Sequence, residues 1–245
     1  MKYIVYILLF FPVWVTAQTY KYIGIEDGLS NRRIFNIQKD AQGYMWFLTN
    51  EGMDRYNGKD IKHYKLNKEG NTLDAPIRLG WLYTEPHIGI WVIGKQGRIF
   101  QYDANKDDFR MVYRLPDTSE TISCGYLDRN NNIWLCRKDT ILLYNIKDAR
   151  IFQFSNIFHT SITAIEQVDE HHFFIATETG VRYVKLENDI LEIIPVETLD
   201  YFHAQVSELY FHQQLKRLFI GSFERGVFVY DTNTQEIIRP DADLS

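Results

Sequence analysis

The sequence has little of several features that mark particular classes of protein. Only two cysteines occur in 245 residues, which excludes a small fold held together by many disulfides. The formal net charge is −5 and no block of basic residues is present, so the chain lacks the cationic stripe that binding of duplex nucleic acid requires. We therefore expect no nucleic-acid partner.

Motifs for catalysis and for metal binding are also missing. Gly221-Ser222-Phe223 does not complete a Gly-x-Ser-x-Gly motif, and Gly94-Lys95-Gln96-Gly97 lacks the spacing of a phosphate-binding loop. His171-His172 lies in a predicted turn, and neither His203 nor His212 has a cysteine or carboxylate at ligand spacing. We expect no catalytic residue, no metal site and no cofactor.

Long apolar runs are missing everywhere except at the N-terminus. Residues 1–17 begin with a positive charge, continue through an apolar stretch and end with small residues before Gln18. This order is typical of a secretory signal peptide, and the apolar stretch is short for a membrane core ~30 Å thick. The sequence predicts export and a mature chain from Gln18, with an uncleaved N-terminal anchor as the alternative.

Aromatic residues, in contrast, are abundant and recur at a regular interval. They make up 15% of the chain, and one of them stands in the same kind of short apolar segment every 40–45 residues. Such a period is typical of β-propeller blades. The five positions, which we expect to fill the space between stacked blades rather than to bind sugars, are Trp46, Trp91, Trp134, Phe174 and Phe219.

Each repeat unit is predicted to contain four short antiparallel strands. In the first unit, turn residues at 40–43, 50–52 and 57–58 separate apolar segments that are too short for helices. Asp40 and Asp128 occupy equivalent turn positions, where capping of the turn is the expected role. The sequence therefore predicts an all-β propeller with no helix after the signal peptide. After residues 1–17, we expect blades at approximately 20–66, 67–115, 116–156, 157–199 and 200–245.

The first unit resembles the two-component regulator propeller repeat. Leu48 and Met53 depart mildly from the pattern of that family, which prefers glycine and leucine there. The other blades match more weakly but in register. The matching residues are Glu26-Asp27-Gly28-Leu29-Ser30-Asn31-Arg32-Arg33-Ile34, Ile37, Asp40, Gly43, Trp46, Thr49, Gly52 and Arg55-Tyr56-Asn57-Gly58.

The resemblance implies a function. Members of this family occur mainly as periplasmic parts of hybrid two-component sensors, many of which detect glycans. We therefore expect a non-catalytic periplasmic sensor domain, part of a histidine kinase whose full-length form is anchored in the inner membrane. Its expected partners are an oligo- or polysaccharide, further blades or C-terminal signalling parts, and a second copy of the sensor. The alternatives are an exported propeller enzyme, such as a lyase or glycosidase, and a self-sufficient five-blade binding protein.

The resemblance also implies more blades than are present here. Family propellers have about seven blades, whereas the repeat occurs five times, and Asp243-Leu244-Ser245 resembles the start of another blade. We therefore expect an incomplete ring of the seven-blade type.

A ligand is expected at the loops that converge on the propeller axis, because binding residues concentrate on loops carried by a rigid scaffold. Their amide, acidic and basic groups can hydrogen-bond sugar hydroxyls or carboxylates. The candidate residues are Asn31, Arg32, Arg33, Asn50, Glu51, Arg78, Lys95, Gln96, Lys138, Glu178, Glu224 and Arg225.

The two cysteines are predicted to face each other across a hairpin of the third blade. If that hairpin is centred on Asn130, Tyr126 lies opposite Trp134 and Cys124 lies opposite Cys136. An exported protein can form a disulfide there, but directly opposed pairs are often strained. Two buried free thiols are the alternative.

Overall fold

The computed structural model describes residues 20–66, 79–117 and 119–239. The predicted signal peptide, Arg78 and the last six residues lie outside these ranges. In the described part of the chain, no helix is long and apolar enough to cross a membrane.

The described residues form five sheets, each of four antiparallel strands in sequential order. The first sheet contains β1 Ile34–Lys39, β2 Met45–Thr49, β3 Gly52–Tyr56 and β4 Ile61–Tyr64. The second contains β5 Leu79–Glu85, β6 Gly89–Gly94, β7 Arg98–Asp103 and β8 Asp108–Arg114. The third contains β9 Cys124–Leu127, β10 Asn132–Cys136, β11 Thr140–Asn145 and β12 Ile151–Ser155.

The fourth sheet contains β13 Ile162–Gln167, β14 His172–Thr177, β15 Gly180–Glu187 and β16 Ile190–Ile194. The fifth contains β17 Val206–His212, β18 Arg217–Ser222, β19 Gly226–Asp231 and β20 Glu236–Ile238. The chain is thus an all-β propeller of five four-stranded blades, which confirms the predicted fold class.

Two short helices interrupt the β structure. A 3-10 helix spans Ile25–Asp27, and a single α-helical turn, α1, spans Glu197–Asp200 before the fifth blade. The prediction of no helix after the signal peptide is therefore wrong. Leu199 of α1 is buried in the core shared by blades four and five, and this tertiary contact stabilises a turn too short to form alone.

Each apolar core lies between two successive blades. The first core lies between blades one and two and the second between blades two and three. The third lies between blades three and four and the fourth between blades four and five. A blade that lies between two others buries both of its faces, which is why its central strands are apolar on both sides.

Four of the five repeated aromatics fill these cores as predicted. Trp46 and Trp134 are 0% exposed, and Trp91 and Phe174 are 2% exposed. Each points toward the blade that follows in the chain. Phe219 lies at the same repeat position of blade five and is only partly buried, because no further blade in the described residues covers that face. On the same face, Tyr210 is 58% exposed.

Candidate functional site

The two ends of the blades carry different loops. Because neighbouring strands are antiparallel, the turns between the second and third strands lie at the same end as the segments that lead into the first strands. We call this the upper end. The remaining two turns of each blade lie at the lower end. The eleven predicted ligand-binding residues that the structure describes all belong to upper-end segments, and Arg78 lies outside the described residues.

An upper cavity of about 350 Å³ lies between blades four and five. It is bordered by the β14–β15 turn, the β18–β19 turn and the segment leading into β17. Its lining residues include acidic, basic and imidazole groups. The lining residues are Glu178, Thr179, His203, Ala204, Gln205, Ser222, Glu224 and Arg225.

The β14–β15 turn is held by a buried threonine. The Thr177 hydroxyl accepts a hydrogen bond from the backbone N–H of Thr179 at 3.2 Å and donates one to the carbonyl oxygen of Gly180 at 3.2 Å. Outside this turn, the Thr160 hydroxyl donates to Glu178 Oε2 at 3.2 Å. These bonds hold the turn and the Glu178 carboxylate, and Glu178 is one of the residues that line the cavity.

The β18–β19 turn repeats the arrangement with a serine. The Ser222 hydroxyl accepts from the Arg225 N–H at 3.0 Å and donates to the Gly226 carbonyl oxygen at 2.9 Å. The Arg225 guanidinium donates from Nη1 to the carbonyl oxygen of His203 at 3.3 Å, which ties this turn to the lead-in segment. Phe223 stands at the tip of the turn and is 66% exposed.

The first blade has the same turn, built by Thr49 and Gly52. The Thr49 hydroxyl accepts from the Glu51 N–H at 3.1 Å and donates to the Gly52 carbonyl oxygen at 3.2 Å. Here the structure coincides with a known sequence pattern, since residues 28–51 match the model of the two component regulator propeller. The first blade carries a two component regulator propeller repeat. This confirms the resemblance inferred from the sequence.

Solved propellers show the same architecture at low identity. The extracellular domain of a protein assigned as a hybrid two component system of B. thetaiotaomicron aligns with a TM-score of 0.69 and 18% identity, over 89% of this chain and 31% of that chain. A second such domain from the same organism aligns with a TM-score of 0.64 and 17% identity, over 89% and 28%. A streptogramin B lyase aligns with a TM-score of 0.63 and 18% identity, over 84% and 67%.

At these identities the similarity shows the fold alone. This chain spans less than a third of the length of either extracellular domain. A search of curated proteins finds no match.

The upper cavity brings together three of the predicted ligand-binding residues and several residues that were not predicted. The sequence predicts that Glu178, Glu224 and Arg225 bind a ligand. It does not indicate His203, which has no cysteine or carboxylate at metal-ligand spacing. His203 reaches the cavity because α1 and the segment after it run alongside blade four. Its Nδ1 lies 3.4 Å from the carbonyl oxygen of Thr179. Phe223 is not among the predicted residues. Its signal in the sequence is that it is aromatic, whereas the other turns between second and third strands are polar.

The other predicted residues of the upper end do not line this cavity. Arg33 stacks over Phe35, with 5.0 Å between the guanidinium and the ring centroid, and Lys95 lies 6.0 Å from the ring centroid of Trp81. The side-chain oxygen of Gln96 is buried without a hydrogen bond. The remaining described ones occupy upper-end segments of blades one and three, namely Asn31, Arg32, Asn50, Glu51 and Lys138.

The cysteine register is as predicted. Cys124 pairs with Cys136 and Tyr126 pairs with Trp134 across β9 and β10. Both cysteines are buried free thiols in the structure. Burial, together with the neighbouring Cys124 thiol, raises the pKa of Cys136 well above its ordinary value, so this thiol stays protonated.

Proposed function

We propose that this chain is the ligand-binding part of an exported sensor, and that it acts without catalysis. The observation that carries the proposal is the upper cavity, where turns from two blades and a lead-in segment bring Glu178, His203, Glu224 and Arg225 together. Rigid blades hold these groups in place, so a ligand meets a preorganised set of donors and acceptors. The extracellular domains with the same fold support the assignment to a sensor.

The chemistry of the cavity favours a carbohydrate. Carboxylates accept hydrogen bonds from hydroxyl groups, and the amide of Gln205 both accepts and donates them. A guanidinium can bind a carboxylate through two parallel hydrogen bonds. Phe223 does not line the cavity, but it stands in the same turn as the lining residues Glu224 and Arg225, and its exposed ring suits the apolar face of a sugar ring. We infer that the ligand is an oligosaccharide, recognised at the upper end in the periplasm.

The test is a binding screen with soluble neutral and acidic oligosaccharides, read by thermal shift and then by calorimetry. Glu224→Gln, Arg225→Gln and Phe223→Ala should each weaken binding of a confirmed oligosaccharide at least tenfold. Glu170→Gln, an exposed glutamate in a lower-end turn, is the matched control and should bind normally. Unchanged affinity in all three upper-cavity variants contradicts the proposal.

A second candidate function is supported by one observation. The upper cavity holds an imidazole and two carboxylates, His203, Glu178 and Glu224, which are residue types that serve as general acids and bases. An exported enzyme acting on the same ligand is therefore the rival. Mass spectrometry of the ligand after long incubation decides between the two: an unchanged ligand supports the sensor, and a cleaved ligand that His203→Ala protects supports the enzyme.

A further inference from the structure

A separate, lower cavity of about 200 Å³ lies between blades four and five at the opposite end from the upper cavity. Its floor is apolar and includes Val168, Phe174 and Phe211. Its rim carries groups that donate hydrogen bonds, namely the hydroxyls of Tyr183 and Tyr230 and the ammonium of Lys216. An apolar floor with several donors at the rim is the arrangement of a small-molecule site.

The equivalent place between blades one and two is also a cavity, of about 350 Å³ and lined by Trp46, Arg55 and Tyr102, but there an acceptor from blade two engages the donors. There Arg55 pairs with Trp46 across two strands, as Tyr183 pairs with Phe174 in blade four. Arg55 Nη1 donates to Asp107 Oδ1 at 2.9 Å across the interface. The hydroxyl of Tyr102 donates to the same oxygen at 2.5 Å.

Blade five replaces the acceptor in this arrangement. Gln235 lies sixteen residues after Phe219, as Asp107 lies sixteen residues after Trp91, and both have a positive φ, of 59° and 47°. Tyr230 is the counterpart of Tyr102 by the same count. The arginine and the aspartate of the first interface are thus a tyrosine and a glutamine here, and the ion pair is gone.

The substitution leaves these donors without an acceptor from the described part of the protein. The hydroxyls of Tyr183 and Tyr230 make no hydrogen bond to any residue that the structure describes, and the Lys216 ammonium makes neither a hydrogen bond nor an ion pair there. Burial, with the charge of Asp169 beside Tyr183 and of Asp231 beside Tyr230, raises the pKa of both tyrosines, so each hydroxyl is a hydrogen-bond donor at neutral pH. The nearby carboxylates are engaged elsewhere, since Asp169 bonds His172 at 2.8 Å and Asp231 bonds Arg217 at 3.0 Å.

We propose that the lower cavity binds a monocyclic aromatic carboxylate. The carboxylate supplies the acceptor that Asp107 provides in the first interface, and Lys216 neutralises its charge. The ring packs on Phe174 and Phe211. The size of the cavity supports this choice. An apolar cavity of about 150 Å³ accommodates benzene, and the additional volume of the lower cavity leaves room for a carboxylate group. The site is distinct from the proposed oligosaccharide site and does not depend on it.

The experiment measures binding of benzoate and of the neutral benzyl alcohol to the purified chain by NMR titration. Benzoate should bind with a Kd on the order of 1 mM, as its small size allows, and benzyl alcohol at least tenfold more weakly. Lys216→Met should weaken benzoate at least tenfold, and Tyr230→Phe about threefold to tenfold. The matched control is Lys147→Met, an exposed lysine in a lower-end turn of blade three, which should bind benzoate normally.

Three outcomes overturn the proposal. They are the absence of benzoate binding up to saturating concentration, equal affinity for benzoate and benzyl alcohol, and normal benzoate binding by Lys216→Met. Lys216 is exposed, so loss of binding in its variant does not arise from unfolding, and an unchanged unfolding midpoint verifies this. Shifted methyl resonances of Val168 in the titration place the ligand in the lower cavity, whereas shifts confined to other blades refute that location.

Discussion

Asp128 holds the indole of Trp134 while it closes the turn that precedes it. Trp134 Nε1 donates to Asp128 Oδ2 at 2.9 Å, and Oδ1 of the same carboxylate accepts the backbone N–H groups of Asn130 and Asn132 at 2.9 and 2.8 Å. Asp40 does the same in blade one, where Trp46 Nε1 donates to its Oδ2 at 2.7 Å. One carboxylate therefore connects a local turn with the aromatic that packs between blades.

Removing that aromatic should destabilise the propeller strongly. Trp134→Ala should lower the free energy of unfolding by about 3–5 kcal/mol, because it empties a core position that is fully buried. Lys138→Ala, at an exposed turn of the same blade, should cost less than ~0.5 kcal/mol. Urea denaturation measures both. Equal midpoints for the two variants would refute the assigned packing.

The interface of blades one and two should contribute to stability in a pH-dependent way. Burial alone would raise the pKa of Asp107, but hydrogen bonds from Lys62, Tyr102 and Tyr64 and the charge of Arg55 lower it well below the ordinary range. A carboxyl whose pKa is lowered on folding stabilises the fold above its unfolded pKa of about 4, and the contribution is lost as pH falls through the folded value.

Asp107→Asn should therefore be less stable than the parent chain at pH 7, and the difference should shrink as the pH drops below about 4. Asparagine tolerates the positive φ of 47° at this position, so the backbone is not the cause. Asp189→Asn is the control, since Asp189 is exposed and has a similar φ of 61°. A difference between Asp107→Asn and the parent that is constant from pH 2 to 7 would contradict the prediction.

Gly52 should tolerate a side chain less well than Gly58. A Cβ at Gly52 would lie 2.3 Å from the carbonyl oxygen of Tyr64, whereas a Cβ at Gly58 would meet nothing within 4 Å. Both residues have a positive φ, which costs alanine roughly 1–2 kcal/mol in either place. Gly52→Ala should therefore unfold at a clearly lower temperature than Gly58→Ala in a thermal melt. The reverse order of melting temperatures would show that Gly52 does not lie against the carbonyl oxygen of Tyr64.

The two cysteines should remain reduced and unreactive in the folded chain. Both are buried, and a buried thiol with a raised pKa reacts slowly with alkylating reagents. Iodoacetamide should leave the native protein unmodified and should add two groups once the chain is unfolded without reductant. A mass lower by two hydrogens, with no alkylation after unfolding, would instead demonstrate the cross-strand disulfide.

The sequence by itself determined the repeat, the four-stranded blades and the pairing of Cys124 with Cys136. These features depend on local chemistry, since turn residues such as Asp40 and Gly43 set each reversal and the alternation of side chains then sets the register. The pairing of Trp134 with Tyr126 follows from the same register.

Only the tertiary structure decided where side chains from different blades meet. His203 joins Glu178 because α1 directs the chain back along blade four, and nothing in the spacing of the two residues indicates this. Gln235 and Tyr183 line one cavity together, whereas Asp107 bonds Arg55 at the equivalent interface of blades one and two. Phe219 is equivalent to Trp134 in the repeat but is less buried, because burial depends on a neighbouring blade rather than on the residue itself.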